Sequence, residues 1–547
     1  MGSLLSFIGI VLLLGTSYVL LKVLTNYFSR SPLDNIPGPS SSDWMIGNFK
    51  ELFSRTGWDF YSHLNHNYGP VSKFYGMFGS KCLYVYDPLA LASIVVKDQS
   101  IYEEPEFFLS QTHLMLGDGL LATVGERHRK QRRMLNPVFS IAHMRHMIPI
   151  FYSITHKLQD AIAMRVKNGQ SEFDVLDWMG RTALELVGQA GLGWSFDPLV
   201  EDSVANNLGT AVKSIVPNAN DLRPFSPIMP IVHKLGPPAF RRKMIDFIPS
   251  PALKRARDIS DEIQFHSRHI FETKKRAMRE GDAAVTQQIG EGKDIMSKLM
   301  QANMYANEED KLPEDELLGQ MSTFIFAGMD TTSNALSRTL DLLTKHQDVQ
   351  DKLRAEILEA IHEHGSELPY DVLTELPYLD AVCRETLRLF SPVPHLLRKV
   401  REDIVMPLSR PIRGLDGTLI SEIPVPEGTL VLIGILASNR NPDLWGPDAE
   451  EWKPERWLNP LPEAVKEAHI PGVYSHLMTF SGGGRACIGF KFSQLEMKIV
   501  LVMLLAKFTF ASSDKDIFWN LAAIQYPTVG KDSDVPQLPM KVGFVKK

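Results

Sequence analysis

The sequence predicts a mainly helical protein with small β-sheets, set behind an N-terminal membrane-spanning helix. Three observations predict it: helical periodicity fills the middle of the 547-residue chain, strand-like segments are few and short, and the N-terminus holds an unbroken apolar run. With 44% apolar and 22% charged residues, the chain can bury a large core. Its formal net charge of −6 argues against a protein built to coat nucleic acid. Three cysteines, at 82, 383 and 487, are too few and too scattered for a disulfide framework, and they fit a reducing compartment.

The apolar run comes first. Leu4 to Leu21 reads LLSFIGIVLLLGTSYVLL, 18 residues without a charge, and about 20 such residues cross a bilayer as a helix. A cleaved signal peptide is the competing reading. Against it, the run exceeds the usual apolar core of such a peptide, no basic segment precedes it, and no small-residue cleavage site follows. Lys22 and Arg30 lie just after the run and favour a cytosolic body. Residues 1–30 are therefore read as a single-pass anchor. Residues 31–48, which include NIPGPSSSDW, are read as a stiff, non-helical hinge, because Pro37 and Pro39 fix φ and lack a backbone donor. Residues 49–547 carry no repeat and no long Gly/Ser linker, and are read as one catalytic domain.

Within that body, VSKFYGMFGSKCLYVYDP (71–88) alternates and is rich in aromatic and β-branched residues, which predicts a strand, a Gly-Ser turn and a second strand. EGDAAVTQQIGEGKD (280–294) predicts a long mobile loop, and TLVLIGIL (429–436) a buried strand. The longest helix is expected from about Pro313 to Lys345. Pro313 and the acids Glu314, Asp315 and Glu316 mark its start, and Lys345 and His346 its end. Its centre, AGMDTTSN (327–334), is a cluster of poor helix formers and predicts a local distortion.

FSGGGRACIG (480–489) sets Cys487 among glycines, two places after Arg485. A buried structural thiol is the ordinary reading of a lone cysteine, and it is adopted for Cys82 and Cys383. A zinc site needs about four ligands, and no second cysteine or histidine is near 487. A nucleophile needs a base, which the fold would have to supply. The remaining reading is an axial thiolate to a metal whose other ligands are already present, as in haem. Glycines then let backbone N–H groups approach the sulfur, and Arg485 pairs with a haem propionate.

Through Phe480, Gly483, Arg485, Cys487 and Gly489 the loop matches F-x-x-G-x-R-x-C-x-G and resembles the haem-ligand signature of the cytochrome P-450 family. The resemblance extends over nearly the whole chain and implies the helical haem-binding fold of that family. Within it, Glu385 and Arg388 of ETLR, with Arg456 of PERW, match the structural Glu–Arg–Arg cluster. AGMDTT resembles the oxygen-binding stretch: Ala327 and Thr331 share a helix face, Phe324 stands one turn earlier, and Asp330 and Thr331 match the acid–alcohol pair that guides protons. GERHRKQRRMLNPVFS (125–140) resembles the propionate-binding helix, with Arg132 in the matching position and His128 where the family often has Trp. In SPVPHLLRK (391–399), Arg398 matches a propionate-binding arginine, and Val393 and Leu396 would face substrate.

The resemblance implies a haem-thiolate monooxygenase that inserts one oxygen atom of dioxygen into a lipophilic substrate. Haem b is the implied cofactor. NADPH would act through a separate NADPH–cytochrome P-450 reductase, with cytochrome b5 as a second donor. The implied location is the endoplasmic reticulum membrane with a cytosolic catalytic domain, and no nucleic acid is a partner. The overall style resembles fungal microsomal members, many of which act on terpenoids and other specialised metabolites. Two rival readings remain: a haem-thiolate isomerase or dehydratase, and a monooxygenase of fatty acids, sterols or xenobiotics. The segments expected around the substrate are apolar (107–116, PVPHLL, 520–527), and no arginine in them is placed to clamp a carboxylate.

Overall fold

The protein, seen in a computed structural model, is described over residues 15, 17, 20–25, 28–200 and 207–546. Most of the expected anchor lies outside the described residues; among those described, no helix is long and apolar enough to cross a membrane. Among the described residues the chain is mainly helical with four small sheets, and it forms two compact units of interleaved segments. One comprises the residues up to Pro105, Pro394–Gly446 and Glu463–Arg485; the other comprises Glu106–Val393, Pro447–Pro462 and the residues from Ala486 onward.

The first unit is built on a five-stranded sheet, in the order Val71–Tyr75, Lys81–Val85, Leu430–Gly434, His395–Val400, Tyr102–Glu103. The expected hairpin over 71–88 is present and antiparallel, but its turn is a 3-10 segment, Met77–Gly79, with Phe78 in the left-handed region at φ 53°. Leu430–Gly434 is the expected buried strand. It fills the middle of the sheet, parallel to Lys81–Val85 and antiparallel to His395–Val400.

The hinge departs from a non-helical spacer. It opens with a 3-10 turn, Pro32–Asn35, capped at both ends of a Ser31–Asp34 box, and Leu33 and Ile36 are buried. The Pro37 carbonyl accepts from the Lys73 N–H at 2.8 Å, and a Cβ on Gly38 would stand 1.8 Å from the Lys73 carbonyl oxygen. The prolines and glycine thus dock the segment along the edge of the sheet. Burial of apolar side chains there decided its course, which φ restriction alone does not set.

The second unit is organised around the helix Glu314–Lys345, 32 residues capped by Pro313, with the three acids in its first turn and Lys345 in its last. The expected distortion at 327–334 is absent, and the helix runs unbroken. Its poor formers are accommodated by local hydrogen bonds and close packing. The Thr331 hydroxyl donates to the Ala327 carbonyl at 2.8 Å, and Ser333 donates to that of Asp330 at 3.3 Å. Gly319 and Gly328 leave no room for a Cβ, which would meet the backbone of Gly119 at 2.3 Å and the Val187 side chain at 2.4 Å. Tertiary packing therefore outweighs weak propensity along this helix. The expected loop at 280–294 is only partly a loop. It contains the helix Asp282–Thr286 and ends on Asp294, which pairs with buried Lys274 at 3.0 Å and caps the next helix through the Ser297 N–H.

The helix Pro377–Leu389 brings Glu385 and Arg388 into the core, both fully buried. Arg388 grips both Glu385 oxygens at 2.8 Å and donates to the Ala449 carbonyl at 2.6 Å. Trp457 Nε1 and the Lys453 N–H also donate to Glu385, at 2.9 and 3.1 Å. Arg456 reaches Glu385 at 3.4 Å and holds the Asp448 carboxylate at 2.9 Å. The cluster clamps the irregular segment 448–457 to this helix, and its strength lies in complete hydrogen bonding of the buried charges.

Glu385→Gln should leave the Arg388 guanidinium without a buried counter-charge and lower unfolding stability by about 3–5 kcal/mol. Glu126→Gln, at the exposed pair with Arg129, should change nothing measurable. Denaturant titration of both variants checks the contrast.

Candidate active site

The FSGGGRACIG segment divides between the units, with 480–485 in the first and 486–489 in the second. In the first unit Phe480 is buried and meets Tyr474 edge-on at 5.5 Å. Gly483 has φ +63°, and a Cβ there would lie 1.7 Å from the Val95 carbonyl oxygen, so only glycine fits. The next N–H, of Gly484, donates to Gln99 Oε1 at 2.7 Å. These contacts fix the start of the loop.

Arg485 was expected toward a propionate, and here its guanidinium meets two carboxylates, Glu103 at 3.1 Å and Glu104 at 2.9 Å. Arg398, on the adjoining strand, lies 3.5 Å from Glu104. Burial pushes the Glu103 carboxyl up, with Arg485 opposing. Glu104 is held below the usual carboxylate range because the charges of Arg398 and Arg485 outweigh its burial. Arg398 is itself buried, which lowers its pKa, and among the described residues its guanidinium donates to the Leu397 carbonyl at 2.8 Å. A guanidinium has five N–H donors, so this buried arginine keeps donors in hand for an anionic group. Leu396 is half-buried on the same strand, opposite Ile433.

In the second unit the thiol of Cys487 is the exposed one, whereas Cys82 and Cys383 are buried. Burial pushes those two up to about 12, as inert structural thiols require. Surrounding protein also raises the Cys487 thiol, opposed by the Gly489 N–H and by the charge of Arg132. That arginine, on the helix Gly125–Leu135, donates to the Ala486 carbonyl at 2.5 Å, one residue from the sulfur, and to Asn136 at 3.1 Å. His128 is buried on the same helix. Gly489 caps the helix Phe490–Lys507 at φ −86°, and the nearest atom to a Cβ there would be 4.0 Å away, so packing does not require glycine at this position.

The central helix presents a narrow accessible face. From 319 to 344, only Phe326, Ala327, Gly328 and Thr331 are not buried. Phe324 is buried and stacks edge-on against Phe139 at 5.7 Å. Phe326, which sequence reasoning passed over, packs with Val393 against an apolar cluster of Val216, Ala522, Ile524 and Tyr526. It lies about 100° round the helix from Ala327, so helical spacing did not mark it. Asp330 is buried next to Thr331. Its carboxyl accepts from Asn334 Nδ2 at 3.2 Å, and burial pushes it up to about 6, opposed by the charge of Lys213 and by Asn334.

These residues fit a haem. An accessible thiol near an N–H donor and an arginine suits an axial sulfur ligand, and a buried arginine with donors in hand suits a carboxylate. The apolar face with one hydroxyl suits a reaction kept away from bulk water.

Comparison with known proteins agrees with this reading. The family model described as cytochrome P-450 matches residues 37–523. A cytochrome P-450 monooxygenase of Postia placenta, numbered 91, is 62% identical over 536 residues, covering 98% of each chain. Ganoderic acid synthetase of Ganoderma lucidum is 48% identical over 537 residues, covering 97% of this chain and 98% of the relative. A cytochrome P-450 monooxygenase of Hericium erinaceus is 38% identical over 526 residues, covering 94% of each.

Cys487→Ala is expected to abolish the red-shifted, thiolate-type band of the reduced carbon monoxide complex. Cys82→Ala and Cys383→Ala are expected to retain it. The three spectra, recorded on purified protein, decide which sulfur is the ligand.

Proposed function

This chain belongs to the cytochrome P-450 family, and from that premise we propose that it is a haem-thiolate monooxygenase of a lipophilic substrate, drawn from the terpenoids or other specialised metabolites. The observation that carries the proposal is the pairing of features in one unit: an accessible thiol at Cys487, and an apolar helix face broken only by Thr331. The likeness to ganoderic acid synthetase supports the terpenoid class. Haem, when bound, supplies dioxygen activation, and a thiolate ligand favours cleavage of the O–O bond.

The protein's own residues bind, orient and deliver protons. Cys487 would supply the sulfur ligand to haem, with the Gly489 N–H and Arg132 tempering its charge. Arg398 would meet a propionate with the donors it keeps in hand, while Arg485 holds the Glu103 and Glu104 carboxylates. Phe326, Val393 and Tyr526 exclude water and hold an apolar scaffold by shape. Asp330 supplies protons, and Thr331 holds the last donor in line. A carboxyl poised near pH 6 suits both steps, since it regains a proton from solvent and gives it up again near neutrality. Electrons come from a separate NADPH-dependent reductase in the same membrane.

Incubation with reductase, NADPH and a panel of terpenes, sterols, fatty acids and aromatics tests the substrate class; oxidation of fatty acids alone would refute it. Thr331→Ala is expected to keep haem and substrate affinity while product per NADPH falls and hydrogen peroxide rises in step. Thr332→Ala should stay coupled, because Thr332 turns away to Ser493 at 3.2 Å; losing that bond should lower stability by about 1 kcal/mol.

Removal of residues 1–30 should release most of the protein from microsomes with its spectrum unchanged, because Leu33 and Ile36 keep the rest of the hinge docked. Sedimentation of the membrane fraction reads this directly.

A further inference from the structure

The sheet edge that carries Arg398 also carries two acids for which the proposed chemistry gives no use. Glu103 ends the strand Tyr102–Glu103 and stands opposite Lys399, so Glu103 and Glu104 run beside the strand of Arg398. One nitrogen, Arg485 Nη2, lies 3.1 Å from Glu103 Oε2 and 2.9 Å from Glu104 Oε2. The other oxygen of Glu104, Oε1, lies 3.5 Å from Arg398 Nη1, and the Arg401 guanidinium donates to the Glu104 backbone carbonyl at 2.7 Å. Glu104 thus touches both arginines, and all of these residues belong to the first unit.

The two acids are not alike. Glu103 meets one arginine and Glu104 meets two. Carboxylates held this close repel each other, so a proton is retained by the one with less cationic support. Burial pushes the Glu103 carboxyl up, and the neighbouring Glu104 adds to that against the pull of Arg485. Burial acts on Glu104 in the same sense, but the charges of Arg398 and Arg485 outweigh it and hold its carboxyl low. Glu104 therefore keeps the standing negative charge of the pair. Both Glu104 and Arg398 are buried, where water screens a charge little.

We propose that Glu104 is a positioning residue for the haem: it fixes the Arg398 guanidinium at the strand edge, and its charge keeps the bound iron harder to reduce than the two arginines alone would make it. The inference rests on the reading of Arg398 as the partner of a propionate. A nearby cation favours the reduced iron, which carries one positive charge less, and a nearby anion favours the oxidised iron. Glu104 offsets part of what Arg398 and Arg485 contribute. The redox step itself is one electron passing from the reductase to ferric iron to give ferrous iron. No bond of Glu104 forms or breaks in it, and no proton moves.

Spectroelectrochemical titration of purified, haem-loaded protein reads the midpoint potential without turnover. Glu104→Gln keeps the shape of the side chain and removes its charge. The midpoint should rise by the equivalent of a roughly tenfold change in the ferrous-to-ferric ratio, about 59 mV for one electron. Glu104→Asp, which keeps the charge, should stay near the wild type. Glu103→Gln should also stay near it, and a rise there equal to that of Glu104→Gln would overturn the assignment to Glu104. Arg398→Gln should move the midpoint the other way, downward.

A midpoint unmoved in Glu104→Gln, with Arg398→Gln still lowering it, would show Glu104 to be structural only. If Glu104→Gln does not fold, combining it with Arg398→Gln removes charge and counter-charge together. The midpoint of that double variant should lie above that of Arg398→Gln alone, and an equal value overturns the proposal. If Arg398→Gln leaves both the midpoint and the rate of haem loss unchanged, the reading of Arg398 on which the proposal rests is overturned instead.

Discussion

The buried Glu385–Arg388 pair is the constraint on which the second unit depends. Neither charge is exposed, and neither could be tolerated alone in the core. Glu385 accepts from Arg388, Arg456, Trp457 and the Lys453 backbone, while Arg388 also reaches the Ala449 carbonyl. A helix and an irregular segment more than sixty residues apart in the chain are thereby held to one geometry. The irregular stretch around 447–457 has little regular backbone hydrogen bonding of its own, so the charges supply the order that a helix or sheet would otherwise give.

The long helix plays the complementary part. Most of its length is buried, and close-packed glycines at 319 and 328 seat it against its neighbours. Only a few residues near its middle remain accessible: Phe326, and the small or polar Ala327, Gly328 and Thr331. A rigid helix with a short accessible face can hold a hydroxyl in position, whereas a distorted one would let it drift. Placing Asp330 one residue along turns its carboxyl into the protein, where burial raises it and Lys213 restrains it. The same helix thus separates a reacting surface from a proton reserve.

Much of this was legible in the residues. The apolar and helical patterns gave the mainly helical class, and the hairpin at 71–88 and the buried strand at 430–434 stood where β-branched and aromatic alternation put them. Other features were not legible, for physical reasons. The expected kink at 327–334 rested on propensity, which is a weak term beside the packing of a fully buried helix. The hinge read as a stiff, non-helical spacer because proline chemistry is local, while the burial of Leu33 and Ile36 depends on a sheet formed elsewhere. Phe324 and Phe326 are both aromatic and two residues apart; which one meets Val393 depends on the helix's rotation against its neighbours.

By itself the sequence determined the chemistry available to this protein: one thiol in a glycine-rich loop, an acid beside an alcohol on a helix, and a Glu–Arg–Arg set to organise the core. These are local patterns, and local spacing carries them. Only the tertiary structure decided which charges meet. Lys213 lies 117 residues from Asp330 and 36 from Asp177, and no periodicity links the three. Arg398 and Arg485 find Glu103 and Glu104 only because strands from distant parts of the chain pair in one sheet. Electrostatic partners are set by distance in space and by burial, and a sequence specifies both only through the whole fold.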